Sequence, residues 1–303
     1  MAVIQRIKKP SNQRSKRGLI KRAPKLIENP KQAIFVRGAS SNGHILQCMK
    51  NLFNIRRANA TLLSQKHDMN PFEDVTLIEN LGQKMDASLF SFCSHNKKRP
   101  NNLILGRLYD YHLLDMVELG IDDCQLIETF KNQKIAAGIK PCLLFAGEPF
   151  NSSSEYQRLK NLLVDFFRGE EITGLRLAGL EHVISFTAAE GKIFMRSYRI
   201  LTKKSGAKTP RVDLEEIGPR MDFSLRRTKL ASDDLFKTSC KKPRQIKPKT
   251  VKNIKKDALG TTTGRIHLGK QDLSKLQVKR MKGLRKVKSG KKTSKGPKNP
   301  ASI

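Results

Sequence analysis

The chain has 303 residues, with 60 Lys and Arg against 27 Asp and Glu, a formal net charge of +33 and a pI near 10.2. So large a cationic excess sets aside the ordinary metabolic enzyme and points to a polyanionic partner, nucleic acid before an acidic membrane surface. Five scattered cysteines without a CxxC, and no apolar run of the ~18 residues a spanning helix requires, speak against a zinc site and a membrane span. The chain reads as soluble and intracellular, with reduced thiols.

The charge is segregated. Residues 1–30 carry nine basic residues and one acid, residues 31–201 carry 21 and 18, and residues 202–303 carry 30 and eight. A near-neutral body is set between basic ends. Residues 1–30, with Pro10, Pro24 and Pro30, are too polar to offset the entropy of ordering and are read as a basic, disordered arm. Order begins at QAIFVRG (32–38), a short strand that stops at Gly38. The polar loop ASSNG follows, then HILQCMKNLFNI (44–55), with Ile45, Met49, Leu52 and Phe53 at helical spacing.

The pattern recurs about 110 residues later. PCLLFAG (141–147) is a strand ending at Gly147, EPFNSSS is a polar loop with capping residues, and EYQRLKNLLVDFF (155–167) repeats the amphipathic helix. Each copy runs on into a strand pair, SLFSFCSH (88–95) with NNLILGRL (101–108) across NKKRPN, and EHVISFTA (181–188) with KIFMRSYRI (192–200). These parallels predict an α/β body at 31–227 built from two pseudo-repeated halves, about 31–135 and 136–227. VDLEEIGPRMDFSLRR closes it. Gly218-Pro219 makes a stiff turn, Met221, Phe223 and Leu225 alternate onto one face, and Arg220, Asp222, Ser224 and Arg226 take the other.

Beyond it, residues 228–303 hold 23 basic residues, four acids and one aromatic, Phe236. Most of this tail reads as disordered. Residues 272–287 are the exception, with Leu273, Leu276, Met281, Leu284 and Val287 in a partial apolar stripe behind a possible Asp272 cap.

Chemistry-bearing motifs are few. The loop from Gly38 to Gly43 has two glycines at phosphate-loop spacing, but His44 and Ile45 stand where Lys and Ser or Thr are required. Nucleotide hydrolysis is set aside. Arg37, Ser40, Ser41 and Asn42 remain candidates to hold an RNA phosphate near a helix N-terminus; the alternative is plain capping. The six histidines are scattered, and no GxSxG or HExxH occurs, so no catalytic residues, metal or cofactor are assigned. A cryptic nuclease, a DNA binder and a basic helix on anionic lipid are the weaker readings. The basic tail offers sequence-poor phosphate affinity through counterion release, with Lys247, Lys249, Lys252, Lys255, Lys256 and Arg265 as candidates.

EEIGPRMDFSLRR at the end of a duplicated α/β body resembles the closing motif of the Brix-domain family of ribosome-assembly factors. RTKLASDDLFK, GTTTGRIHLGKQDLSKLQ and the N-terminal PKLIENPKQAIFVRG fit one member of that family, so the resemblance spans roughly residues 20–287. It implies a Brix fold, two α/β halves resembling the anticodon-binding domains of some aminoacyl-tRNA synthetases. It also implies a non-enzymatic, rRNA-binding role in the nucleus and nucleolus. The implied partners are 5S rRNA and large-subunit pre-rRNA, the two 5S-associated ribosomal proteins, and the regulator of ribosome synthesis protein as heterodimer partner. From the motif, Gly218, Pro219 and Arg220 carry over as the turn, and Arg226 and Arg227 as RNA contacts; pairing of those two arginines with acids of the body is the alternative. A nucleolar protein scaffold whose tail binds nucleic acid non-specifically is the second functional reading.

Overall fold

The computed structural model describes residues 9–23, 25–136, 138–169, 172, 174, 176, 179–206, 209–246, 251–259, 261–266 and 268–270. A basic helix, α1 (Gln13–Arg22), opens it inside the N-terminal arm. Asn12 caps α1 by accepting from Ser15 N (2.8 Å), and Gln, Lys and Arg are good helix formers. The first half then runs β1 (Ala33–Gly38), α2 (Gly43–Ile55), β2 (Ala60–His67), α3 (Thr76–Met85), β3 (Leu89–Ser94), β4 (Asn102–Tyr109) and β5 (His112–Gln125). The second runs β6 (Cys142–Ala146), the single turn α4 (Pro149–Ser152), α5 (Ser154–Phe167), β7 (His182–Ala189), β8 (Lys192–Lys203), β9 (Arg211–Glu216) and β10 (Arg220–Lys229). A short α6 (Asp233–Ser239) and a detached pair, β11 (Ile254–Lys256) with β12 (Thr262–Gly264), complete the described α-helices and strands.

One mixed sheet holds both halves, in the order β2-β1-β3-β4-β5-β10-β8-β7-β6, with β9 paired to β8. The order is a pseudo-palindrome. β1 lies parallel to β3, which pairs antiparallel with β4, which pairs with β5. Equally, β6 lies parallel to β7, which pairs antiparallel with β8, which pairs with β10. The two copies meet where β5 and β10 run antiparallel, from Arg220 opposite Gln125 to Lys229 opposite Met116. The duplicated α/β architecture expected from the repeated motifs is therefore present.

Helices α2 and α5 cover one face of the sheet. Under them a line of aromatic rings crosses between the halves: Phe53 to Phe35 (5.6 Å), Phe35 to Phe166 (5.9 Å), Phe166 to Phe167 (5.6 Å) and Phe167 to Phe186 (5.7 Å). Rings at these separations add to their burial about 0.5–1.5 kcal/mol per pair. A buried ion cluster ties the same layer together. Arg107 contacts Asp115 (2.5 Å) and, from α5, Asp165 (2.9 Å) and Asn161 (2.6 Å), while Lys31 reaches Asp165 (2.9 Å). Burial works to raise the Asp165 carboxyl, but Lys31 and Arg107 outweigh it and hold it below the usual carboxylate range.

The other face differs between the halves. In the first, α3 lies over Ile34, Val36, Phe90, Phe92, Ile104 and Met116, with Ile78 and Gly82 buried against them. In the second, among the described residues no helix covers the corresponding face, and Leu144, Leu214 and Val212 are 47%, 51% and 56% exposed. The turn into β10 is tight. The Gly218–Pro219 bond is cis, Gly218 has φ +72°, and a Cβ there would lie 2.5 Å from the Phe130 ring, so only glycine fits.

Candidate nucleic-acid interface

β10 presents its arginines in an uneven way. Met221 and Phe223 point into the core as the alternation predicts, but bulges in the β5–β10 ladder between Asp222 and Phe223 and between Leu225 and Arg227 break the strict period. Arg226 and Arg227 consequently reach the same face of the first half. Arg226 lies across Gly120, where a Cβ would sit 2.5 Å from its Nε and Nη2 atoms. It donates to the Pro100 carbonyl (2.9 Å) and to Asn102 Oδ1 (3.4 Å). Arg227 donates from Nε to the fully buried carboxylate of Glu118 and stacks over the Phe72 ring at 4.1 Å. Arg99 approaches the other oxygen of Glu118 at 3.5 Å.

These contacts lead to the loop after β1. Arg226 holds Pro100, in the β3–β4 hairpin tip of residues 95–101. Within that tip Asn101 N donates to His95 Nδ1 (3.1 Å), and His95 N donates to the Ser40 carbonyl (2.7 Å). One step further, Arg37 Nε donates to Ser41 Oγ (3.1 Å). Asn42 caps α2, accepting from His44 N at 2.5 Å, so the helix N-terminus is already partly satisfied from within. Arg37, Ser40, Ser41, Asn42, Arg226 and Arg227 thus belong to one strip along a rim of the first half, with Lys97, Lys98 and Arg99 in its middle. Glu118 is the acid that pairs within it, and Asp68, Glu73 and Asp74 lie near Phe72 at its border.

The other sequence candidates are elsewhere. Arg220 sits at the opposite end of β10, roughly 20 Å away at the usual strand rise. It is half-buried opposite Gln125, and its side chain makes no hydrogen bond or ion pair among the described residues. Lys252, Lys255, Lys256 and Arg265 are exposed on or beside the β11–β12 pair, where Arg265 N donates to Asn253 O (2.8 Å). Lys247, Lys249 and the 272–287 stripe lie outside the described residues. Lys97, Lys98 and Arg99 of the tip are not among the sequence candidates; three consecutive cations in NKKRPN are the signal that marks them.

The description "Brix domain" matches this chain over residues 38–227, from the end of β1 to the arginine pair of β10. The chain belongs to the Brix-domain family. Within that family it is similar to "Ribosome production factor 2 homolog" of Homo sapiens, 51% identical over 264 residues, 87% of this chain and 86% of the human one. The protein of the same description in Drosophila melanogaster is 48% identical and covers 98% of this chain and 93% of its own, so that likeness includes both basic ends. "Ribosome biogenesis protein RPF2" of Saccharomyces cerevisiae is 40% identical, over 91% of this chain and 84% of its own. This Brix-domain protein is therefore a ribosome-biogenesis factor of the ribosome production factor 2 group.

Proposed function

We propose that the chain is a non-enzymatic RNA-binding factor of large-subunit assembly, acting in the nucleolus. It binds 5S rRNA and large-subunit pre-rRNA, helps bring 5S rRNA with its two ribosomal proteins to the large-subunit precursor, and supports pre-rRNA processing. The observation that carries the RNA reading is the rim strip, where Arg99 and Arg227 share the buried carboxylate of Glu118, Arg226 is held by Pro100 and Asn102, Arg37 is held by Ser41, and Lys97 and Lys98 are exposed with no ion pair among the described residues. A surface of fixed arginines suits phosphate recognition, because the guanidinium fork is ordered before the ligand arrives. The basic ends add affinity of the sequence-poor, salt-sensitive kind.

The regulator of ribosome synthesis protein is proposed as heterodimer partner. What supports a protein partner is the bare face of the second half, which exposes Leu144, Leu214 and Val212 where the first half has α3. That same face favours the second reading, a nucleolar scaffold whose tail binds nucleic acid without selectivity. Binding of the full chain to 5S rRNA, a scrambled RNA of equal length and duplex DNA across a salt series separates the two. The RNA-assembly reading expects 5S rRNA to be preferred at near-physiological salt. Equal binding of all three, vanishing together as salt rises, supports the scaffold.

A further inference from the structure

We propose that the β3–β4 hairpin tip, residues 95–101, is a preformed clamp for the phosphodiester backbone of base-paired RNA. The inference rests on the RNA-binding reading above and commits it to an element and a class of RNA.

The tip is fixed before any ligand binds. Arg99 N donates to the Asn96 carbonyl (3.2 Å) and to Asn96 Oδ1 (2.7 Å), and Asn96 N donates back to the Arg99 carbonyl (3.2 Å). Asn101 N is held by His95, and His95 N by Ser40 O. Arg226 grips Pro100 from β10, two strands along the sheet from β4. A turn tied at this many points loses little further freedom on binding. From it project Lys97 and Lys98, both exposed and, among the described residues, without an ion pair. Arg99 is 40% exposed and meets Glu118 only at 3.5 Å, while Arg227 contacts the same carboxylate more closely. One negative charge thus faces two guanidinium groups, and the outer one is available to a phosphate.

The chemistry of the tip selects the ligand. Residues 95–101 contain no Phe, Tyr or Trp, the ring of His95 is half-buried with Nδ1 accepting from Asn101 N, and the adjoining loop offers the Ser40 and Ser41 hydroxyls. Unpaired RNA is gripped mainly by stacking its bases on aromatic rings, whereas paired RNA is gripped through phosphates and ribose hydroxyls. Cations and hydroxyls without an exposed ring fit the paired form.

The test uses the full chain with Lys97→Ser and Lys98→Ser together, and a second variant that adds Arg99→Gln. The probes are a fully paired RNA stem of arbitrary sequence and an unpaired RNA of the same length. Because the side chains of Lys97 and Lys98 are exposed and make no hydrogen bond or ion pair among the described residues, the first variant should keep the wild-type Tm. It should bind the stem about tenfold more weakly at near-physiological salt and reduce the slope of log K against log salt by about two, while changing unpaired RNA about twofold or less. Adding Arg99→Gln should lower the slope by about one more. Unchanged affinity and slope for the stem, or equal losses for both RNAs, would overturn the proposal while leaving the RNA-binding reading intact. A wild-type chain that binds neither RNA would overturn both.

Discussion

Arg227 shows how one residue serves fold and site together. Its guanidinium neutralises Glu118, which has no access to water, and rests on Phe72. Removing it leaves a buried carboxylate with only the distant Arg99, so Arg227→Ala should destabilise the chain by roughly 2–3 kcal/mol. Glu118→Gln in the same chain should recover most of that, which a double-mutant cycle in denaturant will show. A loss of RNA binding in Arg227→Ala alone therefore says little; Arg226→Gln, whose partners are a carbonyl and an amide, is the cleaner probe of the strip. His182 is a second residue with a measurable signature. Buried at the start of β7 and 2.8 Å from Ser197 Oγ of β8, it has its pKa pushed down by burial to about 4 from 6.5. It stays neutral in the fold while the unfolded chain takes up a proton. Its contribution is complete above pH ~6.5 and is lost as pH falls from there towards ~4. Tm should fall over that window, and His182→Gln should flatten the fall; an identical pH profile would refute the assignment.

Among the elements, α3 is the one most dependent on a missing side chain. A Cβ at Gly82 would run into Leu108 Cδ1 and sit 3.2 Å from the Ala87 carbonyl, so Gly82→Ala should cost about 1–2 kcal/mol despite the better helix propensity. At Gly18, in the exposed α1, nothing lies within 4 Å, and Gly18→Ala should raise helicity by circular dichroism without loss of stability. The elements also divide by how readable they were. β1, α2, α5, the β3–β4 and β7–β8 pairs and the alternating start of β10 all carry a clear period and clear stops. β5 does not: its residues from Leu114 to Ile121 are buried on both faces, so HLLDMVELGIDD shows no alternation. β2 is an edge strand whose Thr61, Ser64, Gln65 and Lys66 are exposed and whose Ala60, Leu62 and Leu63 are only half-buried, so it resembles a loop. The strip was legible only in pieces. Arg37 with its loop, and Arg226 with Arg227, were visible as candidates. Their meeting depends on a bulge register and on a hairpin tip more than fifty residues from one and a hundred from the other.

At the scale of the molecule, duplication gives the division of labour. Two copies joined through β5 and β10 make one continuous sheet, and the copies then diverge. The first gains α3 on one face and a basic rim beside it; the second leaves its matching face open. The chain's large excess charge lies mostly in its ends, which any polyanion would attract. The central claim is that the folded rim, and not the ends alone, selects RNA. The direct measurement is the affinity for 5S rRNA, in parallel with a scrambled RNA, of the full chain, of Arg37→Gln/Arg226→Gln, and of residues 1–240, which retain β10 and α6. If the rim selects, the two substitutions should erase most of the preference for 5S rRNA at unchanged Tm, and the truncation should weaken both RNAs while keeping the preference. If instead the truncation abolishes the preference and the substitutions leave it whole, the ends carry the specificity and the rim does not.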